Sequence, residues 1–455
     1  MINTNIFREY DIRGLADTDL NDANVYQLGR GLGTYYTSRR QTTVVVGHDV
    51  RLSSPRIAGI INRALNDSGC DVVFVGAVPT PLLYFSLFHY NIPSGVMVTA
   101  SHNPKEFNGC KVCADKMSLY GSDIQKLRKI VEDGEFVSGK GFIEERDIVP
   151  EYIKHVTSGV KIKKGLKVVV DTGNGTCGPL METILKKLGV HARILFKDPD
   201  GNFPNHLPDP TVPKYIEELV ATIKGGNYDA GIGLDGDGDR IGVIDETGAI
   251  IWGDVLLALY AEGVIRQTPG AKIIFEVKCS KGLVERIQAL GGTPVMYRTG
   301  HSLIKAKMKQ ENAPLAGEMS GHMFFADRYY GFDDAVYACL RLLEILGEGD
   351  KLSALAARVP KYFSTPEIRV ETTDEIKFGV VEKIKENFRR SYPILDIDGV
   401  RVDFGDGWGL IRASNTQPVL VVRCEARTQE RLDDIIQIFL QKLGEQGLIL
   451  PAVTR

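Results

Sequence analysis

Residues 235 to 240, Asp-Gly-Asp-Gly-Asp-Arg, place three carboxylates at alternate positions, with a glycine after each of the first two and an arginine behind the third. Carboxylates this close repel one another unless a cation sits among them. The glycines let the backbone turn tightly enough to aim Asp235, Asp237 and Asp239 at one small hard ion. Three carboxylates completed by water or a substrate phosphate suit magnesium. The first rival is a calcium loop of the EF-hand kind, because Glu246 falls twelfth when Asp235 is counted first. Such a loop needs glycine at its sixth position, where Arg240 stands, and helices on both sides, where the flanks AGIGL and IGVI read as strands. A calcium-binding module without catalysis therefore stays only as an alternative.

Three further stretches carry reactive side chains. In VTASHNPKEFNGCKV, residues 98 to 112, Ser101 follows an apolar strand and is flanked by His102 and Asn103, a suitable place for a nucleophilic hydroxyl or its phosphorylated form. The strand-serine-helix elbow G-x-S-x-G of serine hydrolases is missing. Lys111 would serve as general acid or base if a cleft lowered its pKa. In GEMSGH, residues 317 to 322, Glu318 and Ser320 suit adjacent sugar hydroxyls and His322 suits proton transfer. In RASNTQP, residues 412 to 418, Arg412, Ser414, Asn415 and Thr416 form a donor-rich anion cradle. Each has a bland counterpart: a capping serine in an Asn-Pro turn, a solvated lysine, satisfied structural groups, a hairpin turn.

Other patterns mislead. GNGTCG (173 to 178) and GIGLDG (231 to 236) both satisfy the dinucleotide fingerprint G-x-G-x-x-G. The first lies two residues beyond its strand, and the second runs into the acids, which would repel a pyrophosphate. Cys110 and Cys113 have C-x-x-C spacing, but no second pair exists, and the alternation around them reads as a half-buried strand.

At 455 residues the chain exceeds one hydrophobic core and suggests roughly three domains. A content of 43% hydrophobic and 25% charged residues is that of an ordinary globular protein, and a net charge of -3 gives no basic field for nucleic acid. MINTNIFREYDIRG lacks the regions of a signal peptide, and no apolar run reaches the ~18 residues of a membrane span. A cytoplasmic location, without nucleic-acid or membrane partners, is expected. Seven scattered cysteines do not form a disulfide framework.

The loaded stretches recur in equivalent places. β-Branched runs at 42 to 49, 166 to 173 and 271 to 278 are each followed by a helical pattern, then by second strands at 69 to 76, 189 to 196 and 291 to 298. Third strands end in SHNP, DGDGDR and GEMSGH. Strand-helix alternation implies parallel sheets whose ligand groups lie beyond the strands' carboxyl ends, so three similar modules would converge these loops on one cleft. The remainder differs: a helix near 374 to 390, strands WGLIRAS and VLVVRCEA around NTQP, and a helix in 428 to 446 make a fourth, α+β module. Linkers are expected at 133 to 150, near 246 to 254 and at the prolines Pro360 and Pro366.

Together, FREYDIRG, TASHNP, DGDGDR, GEMSGH and RASNTQP, in that order along essentially the whole chain, resemble the α-D-phosphohexomutase superfamily and its phosphomannomutase/phosphoglucomutase branch. The resemblance implies an α/β fold: three similar α/β domains with mixed, largely parallel sheets and a C-terminal α+β, TATA-binding-protein-like domain around a central cleft. The divisions would be 1–148, 149–250, 251–362 and 363–455, carrying the phosphoserine, metal, sugar and phosphate loops respectively. It implies Ser101 as phosphoserine and, with Asp235, Asp237 and Asp239, as a magnesium ligand. Lys111, Arg240 and His322 would assist proton transfer and charge stabilisation, with His102 supporting the serine loop. Glu318 and Ser320 would hold the sugar; Arg412, Ser414, Asn415 and Thr416 the phosphate that is not reacting. Tyr10, Arg13, Lys278 and His301 are further substrate candidates, although Arg13 and Lys278 suit domain-interface ion pairs equally well.

The implied reaction interconverts hexose 1- and 6-phosphates through glucose 1,6-bisphosphate or its mannose equivalent, by an enzyme acting as a monomer or weak dimer. Met319 at the middle of GEMSGH leans toward glucose and mannose over glucosamine, for which relatives usually carry glutamine. A phosphoglucosamine mutase is the alternative within the same cleft, and a phosphatase or synthase using the same acids the alternative reaction.

Overall fold

Apolar strands bounded by glycine breaks build one unit three times over. The structure is a computed structural model that describes residues 2–163, 165–414 and 418–448. In the first unit Thr43–His48 lies between Asp71–Ala77 and Ser94–Val98 and pairs with both in parallel. Lys167–Asp171 pairs likewise with His191–Leu195 and Ala230–Leu234, and Lys272–Glu276 with Thr293–Tyr297 and Leu315–Gly317. Helices such as Ser54–Asn66, Gly178–Lys187 and Lys281–Ala289 make the crossovers. Ser94–Val98 and Ala230–Leu234 are buried throughout, which is why their sequences run apolar or small without polar alternation.

The repeat read from sequence stops at the third strand, and the structure extends it by one. Phe107–Ala114, Ile241–Asp245 and Met323–Phe325 each return antiparallel to the third strand of their unit. The three loaded loops are therefore connections between a parallel strand and an antiparallel one. For DGDGDR this excludes helical flanks, since Leu234 and Ile241 face each other across the sheet.

Phe107–Ala114 is buried along almost its whole length, where a half-buried strand is expected from sequence. Cys110 packs into the first unit's own cluster and Cys113 into the cluster shared with the next units, so the pair faces opposite sides of the sheet and cannot chelate together. All seven cysteines are buried and free.

The hydrophobic cluster that includes Cys113 runs from Val45 through Val168 and Ile273 to Leu346, fusing the first three units. The last unit has its own core around Ile384, Ile411 and Phe439. Its sheet is antiparallel, with Val419–Ala426 next to Gly407–Ala413, and the helices Lys377–Arg389 and Gln429–Gly444 supply the apolar cover. It docks on the third unit through Arg401, whose Nη1 donates to the carbonyls of Val277 (2.5 Å) and Cys279 (2.9 Å) while its guanidinium lies over the Trp408 ring. Among the described residues, no helix is long and apolar enough to cross a membrane.

Candidate active site

The serine loop is fastened from beneath. Ser101 has φ 51°, a left-handed conformation that costs a non-glycine residue of order 1–3 kcal/mol unless its surroundings impose it. Its amide donates to Thr99 Oγ1 at 2.9 Å. Fully buried Arg51 donates to the carbonyls of Ser101 (2.8 Å), Asn103 (2.6 Å), Pro104 (2.8 Å) and Phe107 (3.0 Å), and its Nε lies 3.2 Å from Asp49 Oδ2. Asp49 in turn accepts from Thr99 Oγ1 at 2.8 Å. Four carbonyls of the loop thus answer to one guanidinium.

The acidic loop closes on this serine. Ser101 Oγ donates to Asp235 Oδ2 at 2.6 Å and lies 2.9 Å from His102 Nδ1. Asp235 Oδ1 accepts from the amides of Asp239 (3.0 Å) and Arg240 (3.1 Å), which fixes the turn. A Cβ on Gly236 would stand 2.6 Å from the Ser101 carbonyl oxygen, so glycine is what allows the two loops to meet.

Lys111 Nζ donates to Asp237 Oδ2 at 2.8 Å and to Asp239 Oδ2. The other oxygens, Asp237 Oδ1 and Asp239 Oδ1, are buried and accept no hydrogen bond. One ligand atom from each of the three aspartates falls within 4.8 Å of the others. Buried carboxylate oxygens lacking donors are what a divalent cation would satisfy, and an all-oxygen set beside Ser101 suits magnesium.

The electrostatics follow this crowding. Burial, then Asp239 and Asp237, push the Asp235 carboxyl well above its usual range. Burial opposes the charge on Asp239, but Lys111 and His322 outweigh it and hold that carboxyl well below the usual range. Lys111 reverses the expectation of a lowered pKa: burial works downward, yet Asp237 and Asp239 hold its ammonium well above the ordinary value. Burial, with Arg240 and Arg13 nearby, pushes the His102 imidazole pKa well below its ordinary value.

From Asp239 the network passes to the third unit. His322 Nε2 lies 3.4 Å from Asp239 Oδ1, and His322 Nδ1 lies 2.9 Å from Ser320 Oγ and 3.1 Å from Glu318 Oε2. Burial opposes its charge, but Asp239 and Glu318 raise its pKa to about 9. Glu318 Oε1 accepts from the Gly300 amide at 2.7 Å, and the His301 ring stacks on His322. Tyr10, from the first unit, donates to the Thr299 carbonyl at 2.9 Å with its ring edge toward His301.

Arg13 donates to Asn103 Oδ1 (2.6 Å) and pairs with Asp11. Lys278 Nζ lies 3.0 Å from Glu367 Oε2 of the last unit, and Arg412 Nε 2.9 Å from Asp398, which also accepts from the Thr299 amide. The Ser414 carbonyl accepts from Lys377 at 2.7 Å. Asn415 and Thr416 lie outside the described residues. Arg240 is partly buried, and its Nε has no hydrogen-bond partner.

Several members were not legible beforehand. Arg51 and Asp49 follow the first unit's first strand, and Thr80 donates to Asp237 Oδ2 at 2.6 Å. Asp333 accepts from Lys305 at 2.9 Å beneath the two histidines. Only burial marks these residues, and a charged residue's burial is a property of the fold.

Four family models match in order: phosphoglucomutase/phosphomannomutase alpha/beta/alpha domain I over residues 4–138, domain II over 150–248, domain III over 252–362 and the C-terminal domain over 367–442. The chain is 45% identical over 448 residues to a phosphomannomutase/phosphoglucomutase of Pseudomonas aeruginosa, covering 98% of this chain and 97% of the relative. It is 43% identical over 439 residues to a phosphoglucomutase of Neisseria meningitidis, covering 95% of each. A crystal structure of a phosphoglucomutase/phosphomannomutase family protein from Burkholderia thailandensis superimposes with a TM-score of 0.93 at 40% identity, covering 99% of this chain and 100% of that one.

Proposed function

The chain belongs to the phosphoglucomutase/phosphomannomutase family, and from that premise we propose that Ser101 carries the phosphoryl group by which it interconverts hexose 1- and 6-phosphates. It is an isomerase of the phosphohexomutase class. The observation that carries the serine's role is its hydroxyl, 2.6 Å from Asp235 and beside two buried carboxylate oxygens that lack donors.

Phosphoserine 101 donates its phosphoryl group to the free hydroxyl of a hexose monophosphate: the bond from phosphorus to the serine oxygen breaks, and one to the sugar oxygen forms. The 1,6-bisphosphate turns end for end, and the serine takes back the other phosphoryl group. Asp235, Asp237 and Asp239, with the phosphoserine itself, would hold Mg²⁺, which when bound neutralises charge on the phosphoryl oxygens. Arg240 adds charge to the same place. His322 and Lys111 both carry protons in this geometry, so both balance the transferring group, and His322 protonates the departing sugar oxygen. In the other half-reaction the imidazole left neutral by that step takes the hydroxyl proton, while Lys111 stays charged against Asp237 and Asp239. Glu318 and Ser320 hold sugar hydroxyls, with Tyr10 and His301 beside them. Arg412, Ser414, Asn415 and Thr416 cradle the distant phosphate, while Arg13 and Lys278 position the neighbouring loops.

We keep the four divisions 1–148, 149–250, 251–362 and 363–455, a hinge near residues 360 to 370, a monomer or weak dimer as the active form, and glucose 1,6-bisphosphate as activator of dephosphorylated enzyme. Mass spectrometry of the purified protein tests the core of this reading: ~80 Da is expected on the peptide holding Ser101. Ser101→Ala should abolish isomer formation while leaving the circular dichroism spectrum unchanged. Full activity in that variant overturns the mechanism, and inorganic phosphate released in place of isomer would make the enzyme a phosphatase.

Dual use of glucose and mannose follows if the sugar is held only at the hydroxyls those two hexoses share. Met319, the residue that bears on substrate choice, packs against the central hydrophobic cluster. The ratio of kcat/KM for the two 1-phosphates is expected below roughly a thousandfold, ~4 kcal/mol at the transition state; a larger ratio refutes dual specificity.

A further inference from the structure

Asp239 belongs to a second group of buried ligands. His322 Nε2 lies 3.4 Å from Asp239 Oδ1 and 3.9 Å from Asp333 Oδ2, and one ligand atom from each residue falls within 4.8 Å of the others. Neither carboxylate oxygen accepts a hydrogen bond, although Asp239 is 1% and Asp333 0% exposed. His301 Nδ1, also buried without a hydrogen-bond partner, lies 3.5 Å from Asp333 Oδ2. The opposite oxygens are occupied: Asp333 Oδ1 by Lys305 Nζ at 2.9 Å and Asp239 Oδ2 by Lys111. Each lysine neutralises one side of a carboxylate and leaves the other side turned toward the imidazole.

An imidazole with two carboxylates is a donor set for zinc and its neighbours, whereas magnesium prefers oxygen alone. Ligands ~2.0 Å from a tetrahedral zinc ion stand ~3.3 Å apart, close to the observed spacing of His322 and Asp239. Glu318 Oε2, 3.1 Å from His322 Nδ1, supplies the carboxylate that orients a metal-bound imidazole, and zinc would displace the proton that Nε2 otherwise holds toward Asp239.

We propose that Asp239, His322 and Asp333 form a second metal site, selective for Zn²⁺ over Mg²⁺, with His301 at its edge. The site shares Asp239 with the triple-aspartate loop, so zinc bound there withdraws a ligand from the first cluster and occupies His322, and it opposes turnover. Binding itself is independent of the mutase reaction, and the effect on turnover rests on the roles proposed above for Asp239 and His322.

Zinc uptake by the full-length protein, measured by equilibrium dialysis in the presence of excess Mg²⁺, tests it. Wild type should take up one zinc, and Co²⁺ in its place should show the visible bands of a nitrogen-ligated ion. Asp333→Asn should weaken zinc binding by about tenfold or more and leave Mg²⁺ binding unchanged, while Asp235→Asn should do the opposite. His322→Gln, checked for folding by circular dichroism, should lose zinc and the cobalt bands even if loss of the Lys305 pair unfolds Asp333→Asn. Zinc retained in His322→Gln but lost in Asp235→Asn overturns the proposal, as does wild type that takes up no zinc.

Discussion

Arg51 shows how a single buried side chain sets the reactivity of another. Its contacts to four carbonyls hold Ser101 in a backbone conformation that the residue would not adopt alone, and Asp49 keeps the buried guanidinium compensated. Arg51→Ala leaves Asp49 buried beside an empty space. The expected cost is about 3 kcal/mol, read as an earlier urea midpoint, because Asp49 still accepts from Ser54 (2.5 Å) and Thr99 (2.8 Å). In folded Arg51→Lys, kcat should fall while KM holds, since one ammonium cannot reproduce a planar fork that spans four acceptors. An unchanged kcat in that variant would show that the loop keeps its shape without Arg51.

At the scale of elements, the site depends on how closely two connections approach. The turn between Ala230–Leu234 and Ile241–Asp245 presses its Gly236 against the serine loop, where an added Cβ would meet the Ser101 carbonyl at 2.6 Å and Pro208 Cγ at 3.0 Å. Gly236→Ala must push the loops apart. We expect about 1–3 kcal/mol of destabilisation and, because a displacement near 1 Å suffices, a loss in kcat of about a hundredfold. Gly263→Ala, in the helix Gly253–Gln267 with nothing within 4 Å of its added Cβ, is the control and should stabilise by roughly 0.5–1 kcal/mol. Equal activity in the two variants would contradict this account.

Across the whole molecule, three units share one apolar core while the fourth keeps its own and is attached through a small apolar cluster of Val277, Trp408 and Leu410 together with polar contacts. Lys278 pulls the Glu367 carboxyl down to about 2, and Arg369 and Arg412 act in the same direction against partial burial. A carboxyl whose folded pKa is depressed contributes stability above its unfolded pKa and loses it as pH falls through the folded one. Docking of the last unit should therefore weaken between about pH 4.5 and about pH 2, by under ~1 kcal/mol because Glu367 is 32% exposed. Small-angle scattering over that range should show an expansion that is already present at higher pH in Glu367→Gln. A pH-independent radius in wild type would remove Glu367 from the interface.

Periodicity and loop chemistry determined a great deal unaided. Alternation of strand and helix specified the three parallel units, because a right-handed crossover has few ways to pack, and DGDGDR pointed to a cation site, because carboxylates at alternate positions repel one another without one. The tail's helices and its strands Gly407–Ala413 and Val419–Ala426 were likewise written in their spacing. Tertiary structure alone decided which oxygens lack donors, that Lys111 is held protonated by two aspartates instead of released as a base, and that Arg51, Asp333 and Lys305 are buried among the reactive loops. The reason is physical: strand and helix preferences act over a few neighbouring residues, whereas the protonation of a buried charge depends on groups brought within a few ångströms from far along the chain.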